Sequence, residues 1–330
     1  MTDDPADRMR ERSERSTLAL YLLLDADRRL LAAGILTFVF AGVVACSLVF
    51  PSAAAALRSG DPLETAFQAF VGATVTGVTI VLTLNQLVLS QELGAVGDQR
   101  ERMEGAMAFR EDVRDMVGET PPVEPSAFLR AMVETTAQRA EAVRDAVADP
   151  SDELDRLLGS TRGNADDVLN RLEGATFGEF DVVRAALDFN YSWKLYTARR
   201  VLDEEDCDEA TADALDGFVD ALSLFGPARE HFKTLYFQSE LIDLSRTVLY
   251  AAVPSLVVTV SVLLFIDIGD YTGTLLGVDH GVLLVAAASA AAVAPFAVLL
   301  AYVLRIATVT GRTLSIGPFI LRETERETDQ

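Results

Sequence analysis

Four long stretches of this sequence contain no charged side chain, and they constrain the fold more than any other feature. They cover residues 30–50, 66–90, 247–266 and 281–304, each at least 20 residues long. A helix rises about 1.5 Å per residue, so about 20 residues cross the ~30 Å hydrocarbon core of a bilayer. The sequence therefore predicts an all-α fold with four transmembrane helices, arranged as the pairs 30–90 and 247–304.

Basic residues at the ends of these stretches predict their orientation. The segment 1–29 contains six arginines, whereas the connection 51–64 contains only Arg58 and the connection 267–280 contains no arginine or lysine. Four more arginines lie in the tail 305–330. Because cytoplasmic flanks of membrane spans are enriched in arginine and lysine, we expect a multi-pass protein of the cell membrane with both termini in the cytoplasm.

The residues between the two pairs of spans, 91–246, predict a helical cytoplasmic domain. They include 34 acidic and 17 basic residues. Apolar residues recur three and four positions apart, and the sequences at 118–122, 149–150, 174–178, 203–208 and 226–227 are typical of helix ends. Five or six helices are expected, with Ser151 capping one of them. We also expect the second span to continue as one helix to about Val117, and a helix beginning near Ala228 to continue into the third span.

The charge composition indicates an acidic surface. The net charge is −22, and 26 of the 28 basic residues are arginine, the exceptions being Lys194 and Lys233. Such a composition resembles that of haloarchaeal proteins, whose surface carboxylates keep them hydrated in concentrated salt. A nucleic-acid partner is not expected, because nucleic-acid-binding proteins normally present a basic face.

Polar residues in the second span form the most specific pattern in the sequence. They are separated by three, four, three and four positions, which places them on one face of a helix: Thr76, Thr79, Thr83, Gln86 and Ser90. Polar groups in hydrocarbon pair with a neighbouring helix or line a water-filled path. The sequence leaves two interpretations open for these five residues, which are helix packing and the lining of a pore.

Two prolines within the spans are candidate hinges. Pro254 lies in the third stretch and Pro295 near the middle of the fourth. A proline removes one helical hydrogen bond and can bend the helix. An ordinary packing kink is the alternative to a hinge, because membrane helices tolerate proline.

No catalytic, cofactor-binding or metal-binding residue is predicted. The sequence lacks the glycine-rich phosphate and dinucleotide motifs, the serine elbow of hydrolases and the His-Glu-x-x-His zinc motif. The acidic run 203–209 lacks the glycine and terminal glutamate of a calcium-binding loop. Cys46 and Cys207 lie in an apolar and an acidic segment, which favours two free thiols over a disulfide.

The layout of paired spans around a helical cytoplasmic insertion resembles that of bestrophin-type anion channels. In that family the second span lines the pore of an oligomer, and the resemblance places the Thr76–Ser90 face in that role. The segments LNQLVLSQELG, at 84–94, and RTLSIGPFILR, at 312–322, resemble four-span membrane proteins of haloarchaea, which implies no activity.

These observations favour two functional hypotheses over a third class, an enzyme, which would require a site without a recognised motif. The first is a non-enzymatic scaffold or sensor that is anchored in the lipid bilayer and acts on a cytoplasmic protein partner through domain 91–246. The second is an oligomeric ion channel whose pore is lined by the polar face of the second span. We expect a homo-oligomer in both cases.

Overall fold

The computed structural model of the chain describes residues 27–50, 52–59, 61–175, 180–204 and 207–312, which are nearly all helical. The helices, in chain order, are α1 (Arg28–Val49), α2 (Ala53–Arg58), α3 (Asp61–Glu92), α4 (Val96–Val117), α5 (Pro125–Ala146), α6 (Asp152–Leu172), α7 (Phe180–Asp188), α8 (Tyr191–Glu204), α9 (Glu209–Phe265), α10 (His280–Ala292) and α11 (Ala294–Arg312). A 3-10 turn (Ile268–Asp270) and a small antiparallel hairpin of β1 (Thr274–Leu275) and β2 (Val278–Asp279) precede α10. The predicted all-α fold is thus confirmed for the described residues.

The chain divides into two compact units. The first, called the acidic unit, contains Gly94–Phe237, and the second, called the apolar unit, contains residues 27–93 and Gln238–Val309. Helix α9 belongs to both units, because it is described as a single helix from Glu209 to Phe265. Most of the N-terminal segment 1–29 and of the tail 305–330 lies outside the described residues.

The apolar unit contains the helices that are long and apolar enough to cross a membrane. Three helices meet this condition by themselves, namely α1, α3 and α9. Helices α10 and α11 meet it as a pair and are bent by 47° at a short break, so they provide a fourth span if they are counted as one. Many of the apolar side chains of these helices are exposed, among them Ile80, Val257 and Leu264. Such exposure suits a helix that is surrounded by lipid.

Small clusters of buried side chains hold the apolar unit together. One joins α3, α9 and α10 through Phe67, Val262 and Val285. A second cluster joins α3 and α9 to α11 and consists of Val81, Leu244, Val248 and Tyr302. A third joins α1 to α11 and consists of Ala32, Ala297 and Ala301. The alanines let the backbones of α1 and α11 approach closely, as small residues do in membrane helix pairs.

The acidic unit has one continuous apolar core. Helices α4 to α8 and the first part of α9 contribute to it, and its central side chains include Leu129, Met132, Leu157, Phe189, Phe218 and Phe225. Local sequence defines several helix ends. The Ser151 hydroxyl accepts a hydrogen bond from the Leu154 amide at 3.2 Å, which confirms the predicted cap of α6. Gly118 ends α4 with φ of 83°, a conformation that glycine adopts without strain.

Two predicted helix boundaries are wrong. The second span does not continue to Val117, because α3 ends at Glu92 and α4 begins only at Val96. Gly94 lies in this break, and glycine disfavours a helix by about 1 kcal/mol relative to alanine. Conversely, no helix ends at residues 226–227, since α9 passes through them without interruption. The prediction that this helix continues into the third apolar stretch is correct, although it begins at Glu209 rather than near Ala228.

Candidate functional site

Helix α3 has two faces of opposite character. The residues packed against the rest of the apolar unit are Leu63, Phe67, Thr74, Gly77 and Val81. The five polar residues predicted from the sequence, Thr76, Thr79, Thr83, Gln86 and Ser90, are all exposed. We call these five residues the polar face.

The polar face points away from the rest of the apolar unit. At about 100° per residue, its members centre roughly 180° from the buried residues of the same helix. None of the described helices of the apolar unit covers it. Whether the face contacts protein or water stays a prediction.

The hydroxyl groups of the polar face are satisfied within α3. Thr76, Thr79 and Thr83 each donate to the carbonyl four residues earlier at 2.9 Å. Ser90 donates to the carbonyl of Leu87 at 2.7 Å. The side chain of Gln86 makes no hydrogen bond to another described residue. Because an unpaired amide is costly in hydrocarbon, Gln86 is the member that most requires a partner.

The bend between α10 and α11 is stabilised by a hydrogen bond from α9. Pro295 has no amide hydrogen, and the amide of Phe296 donates to Val293 at 3.0 Å rather than to the carbonyl of Ala292. That carbonyl accepts instead from the Ser255 hydroxyl, at 2.8 Å. The predicted kink region around Pro295 is therefore joined to α9 beside the other proline, Pro254.

The two candidate hinge prolines differ in their effect on the helices. Helix α9 continues through Pro254 without a break. The fourth apolar stretch breaks at Val293, two residues before Pro295. On the α3 side of this bend, a Cβ atom on Gly77 would lie 3.3 Å from the ring of Phe296. Glycine at this position leaves room for the aromatic ring, and hinge motion at either proline stays a prediction.

We expect Ser255→Ala to destabilise the apolar unit by about 1–2 kcal/mol, because it leaves a buried carbonyl without its hydroxyl partner. The measurement is unfolding in mixed micelles with increasing SDS. Thr308→Ala is the matched control, since that hydroxyl bonds only to Leu304 of its own helix at 2.7 Å. Equal stability of Ser255→Ala and the parent protein would show that the hydrogen bond does not support the bend.

A partly buried ion pair links α1 to α9 at one end of the apolar unit. Arg28 at the start of α1 forms a salt bridge with Glu240, whose side chain is buried. The Arg28 guanidinium also lies 4.8 Å from the ring centre of Tyr302 on α11. Three helices therefore meet at one arginine. The sequence does not predict this contact, because Glu240 is 212 positions away from Arg28.

The acidic unit contains a buried polar network that the sequence analysis did not predict. Lys194 is fully buried and donates to Asn164 Oδ1 at 3.1 Å. The Asn164 side chain also accepts from the Asn190 amide at 3.2 Å and donates to the Asp188 carbonyl at 2.9 Å. The network therefore joins α6 to α7 and α8. No sequence pattern signals this network, because Asn164 and Lys194 are 30 positions apart on different helices.

A second set of charges in the acidic unit lies around Glu230 on α9. Glu230 forms salt bridges with Arg229, at 2.8 Å, and with Lys233. Desolvation raises the pKa of Glu230, but the hydrogen bonds and charges of Lys233 and Arg229 outweigh it and hold the pKa below its ordinary value. The Arg229 guanidinium also lies 4.7 Å from the ring centre of Tyr191 on α8. These contacts fasten the start of α8 to α9.

The described residues do not provide the ligands of a metal centre. Among them, no group of three or more His, Cys, Asp or Glu side chains is arranged to hold an ion. Residues 205 and 206 of the acidic run lie outside the described residues.

An open cavity of about 250 Å³ lies where α5 ends and α6 and α9 begin, lined by residues that include Val147, Asp149, Ser151, Leu154, Cys207 and Thr211.

Comparison with known proteins gives a family and no activity. No curated protein and no solved structure matches this chain. One family model matches it over residues 1–330, and its description is a family of unknown function, DUF7972. Since the match covers the full sequence, the chain belongs to the family DUF7972.

Proposed function

We propose that this chain is a multi-pass membrane protein without enzymatic activity, which acts as a scaffold or sensor through the acidic unit. In this proposal α1, α3, the second half of α9 and the bent pair α10–α11 are four spans. Both termini and the acidic unit are cytoplasmic. The low content of arginine and lysine in the connections 51–64 and 267–280 supports this orientation.

The outward direction of the polar face is the observation that carries the proposal. Its separations of three, four, three and four residues average 3.5, which is the repeat of helices that pair in a left-handed supercoil. Threonine and serine permit close helix packing in membranes, and Gln86 can hydrogen-bond across a helix interface. We infer that the occupant of this face is α3 of a second copy, so the protein is a homo-oligomer.

Helix α9 supplies the connection that a sensor requires. It contributes Phe218 and Phe225 to the core of the acidic unit and Val248 and Val262 to buried clusters of the apolar unit. No loop in this 57-residue helix absorbs a movement of its membrane-spanning part. A change in tilt or position of that part is therefore transmitted to the helices that surround the first part of α9.

A change in bilayer thickness tests this coupling, because a helix adapts to thickness by tilting. Trp193 is the only tryptophan, lies in the acidic unit and is 9% exposed, so its quenching by acrylamide reports on that unit. We expect the quenching to change with lipid acyl-chain length. The double substitution Ile242→Gly and Asp243→Gly should abolish the change, since each glycine weakens the helix by about 1 kcal/mol.

The matched control for this experiment places alanine at the same two positions, which are exposed in the structure. The alanine variant should retain the response of the parent protein. If the parent protein does not respond to thickness, or if the glycine and alanine variants respond alike, coupling through α9 is refuted.

An oligomeric ion channel is the second candidate, and the same polar face favours it. In a ring of three or more copies, hydroxyl-bearing residues directed away from each bundle would surround a central path. The resemblance to the layout of bestrophin-type channels points in the same direction. A membrane-impermeant thiol reagent distinguishes the two candidates, because cysteines at Thr79 and Thr83 react rapidly in a water-filled pore and slowly in a closed helix interface.

A further inference from the structure

The hairpin between α9 and α10 has an apolar tip. Its strands pair Thr274 with Asp279 and Leu275 with Val278. Leu276 and Gly277 form the turn, with φ of 53° and 83°, as a type I′ turn requires. Leu276 is 97% exposed and Leu275 is 57% exposed.

Leucine at the first position of this turn is unfavourable in two respects. A left-handed backbone costs a residue with a Cβ atom about 1 kcal/mol or more, and asparagine or glycine is the usual residue there. Full exposure to water adds the cost of hydrating an apolar side chain. Strained residues at exposed positions are concentrated at functional sites. An exposed, strained leucine therefore suits contact with an apolar surface.

The base of the hairpin is held against the end of the apolar unit. The His280 amide donates to the Gly273 carbonyl at 3.0 Å, and Arg58 binds the Asp279 carboxylate at 2.5 Å. Desolvation raises the pKa of Asp279, but the hydrogen bond from Arg58 and other contacts lower it below its ordinary value, so the carboxylate is charged at neutral pH. The hairpin is thus fixed at its base on both sides.

The short reach of the hairpin keeps its tip close to the ends of α9 and α10, which belong to membrane spans in the function proposed above. Each strand has two residues and a strand rises about 3.4 Å per residue, so the tip extends only ~7–10 Å from the base. The interfacial layer of a bilayer is of similar depth, about 5–8 Å on each side. Residues 271–278 include no charged side chain, although the chain carries a net charge of −22. Tyr271 beside the hairpin is of the type enriched at membrane interfaces.

We propose that Leu275 and Leu276 insert into the interfacial region of the lipid leaflet at which the third and fourth spans are joined. The proposal rests on the membrane placement proposed above. The hairpin then acts as a lipid anchor that fixes the depth of α10 and, through Arg58, of α2. Lipid is favoured over a protein partner as the occupant because of the short reach and because residues 274–278 include no charged group for recognition, while the one carboxylate of the strands, Asp279, is paired with Arg58.

A fluorescent probe that reports on polarity tests the insertion. The probe, an NBD group, is attached to a single cysteine at Thr274→Cys in a chain with Cys46→Ala and Cys207→Ala, reconstituted in phosphatidylcholine vesicles. We expect a blue-shifted emission, strong quenching by lipids that carry a nitroxide near the headgroup, and weak quenching by iodide. Adding Leu275→Ser and Leu276→Asn should reverse all three results, while thermal stability in detergent is retained because asparagine suits the turn.

Two reference sites make every outcome decisive. A probe at Val257→Cys, 61% exposed on α9, should be quenched by lipid nitroxides, and a probe at Ser59→Cys, exposed beside α2, by iodide. Quenching at Thr274→Cys by iodide alone, or by neither quencher, would overturn the proposal, and the latter result would indicate a protein on the tip. If the probe at Val257→Cys is not quenched by lipid nitroxides, the membrane placement of the spans is refuted. The proposed insertion of the hairpin is then refuted as well.

Discussion

Replacing Asn164 with leucine is expected to lower the free energy of unfolding of the acidic unit by about 3–5 kcal/mol. The substitution leaves the buried Lys194 ammonium, the Asn190 amide and the Asp188 carbonyl without the partner that joins them. Folded domains are stable by only about 5–15 kcal/mol, so the loss is a large part of the total. The measurement is urea unfolding of the full chain in detergent, followed by the fluorescence of Trp193.

The double variant Asn164→Leu and Lys194→Met is the control for this prediction. It removes the buried charge together with its partner, so we expect it to be more stable than Asn164→Leu alone. Coupling of the two positions in a double-mutant cycle would show that the lysine and the amide stabilise each other. A loss below about 1 kcal/mol for Asn164→Leu would contradict the buried network.

The second large effect is expected on association of the copies. The triple substitution Thr79→Leu, Thr83→Leu and Gln86→Leu should raise the dissociation constant of the oligomer at least about tenfold, since interhelical polar contacts contribute roughly 0.6–2 kcal/mol each. The fold of the single chain should persist, because these side chains are exposed. Energy transfer between donor- and acceptor-labelled chains in vesicles, at increasing lipid dilution, measures the change.

Alanine at exposed apolar positions on the flanks of α3 provides the matched control. The control variant combines Ile80→Ala, Leu82→Ala and Leu89→Ala, three positions outside the polar face. Its total change in side-chain volume is larger than that of the triple leucine variant. This triple variant should associate like the parent protein. A similar loss of association in both triple variants, or in neither, would assign the contact between copies to another surface.

The sequence predicted the long helices of the apolar unit well, because length and the absence of charge are sufficient to identify helices that can cross a membrane. It also placed the five polar residues on one face of α3, since helical periodicity alone determines that. It could not predict that this face points away from the other described helices of the apolar unit. That result depends on the packing of Phe67, Gly77 and Val81 against helices distant in sequence.

The two errors in helix boundaries have different causes, and the first lies in tertiary packing. Gly226 and Pro227 favour a helix end locally, but α9 continues through them. A Cβ atom on Gly226 would lie 2.9 Å from the ring of Tyr191, so the glycine admits an aromatic side chain of α8. Burial of Phe225 and Phe232 on the same helix offsets the cost of an interior proline. The opposite error at Gly94 arose because a single glycine was not counted as a break.

The polar network around Asn164 could not be predicted from the sequence, because it also depends on tertiary packing. Lys194 directly follows Trp193, the only tryptophan of the sequence, in a segment with several other polar residues. Nothing in the adjacent sequence indicates that the lysine is buried. Its partner is 30 positions away on another helix. Long-range polar contacts of this kind have no periodic signature, whereas apolar faces do.

Oxidative cross-linking at position 79 tests the central claim most directly. Thr79→Cys is compared with Ile80→Cys in a chain with Cys46→Ala and Cys207→Ala, because the two positions lie at nearly the same depth on α3 and differ in direction by about 100°. If α3 pairs with α3 of a second copy, Thr79→Cys forms a disulfide-linked dimer in native membranes and Ile80→Cys does not. Equal cross-linking at both positions, or none at Thr79→Cys, would contradict the account.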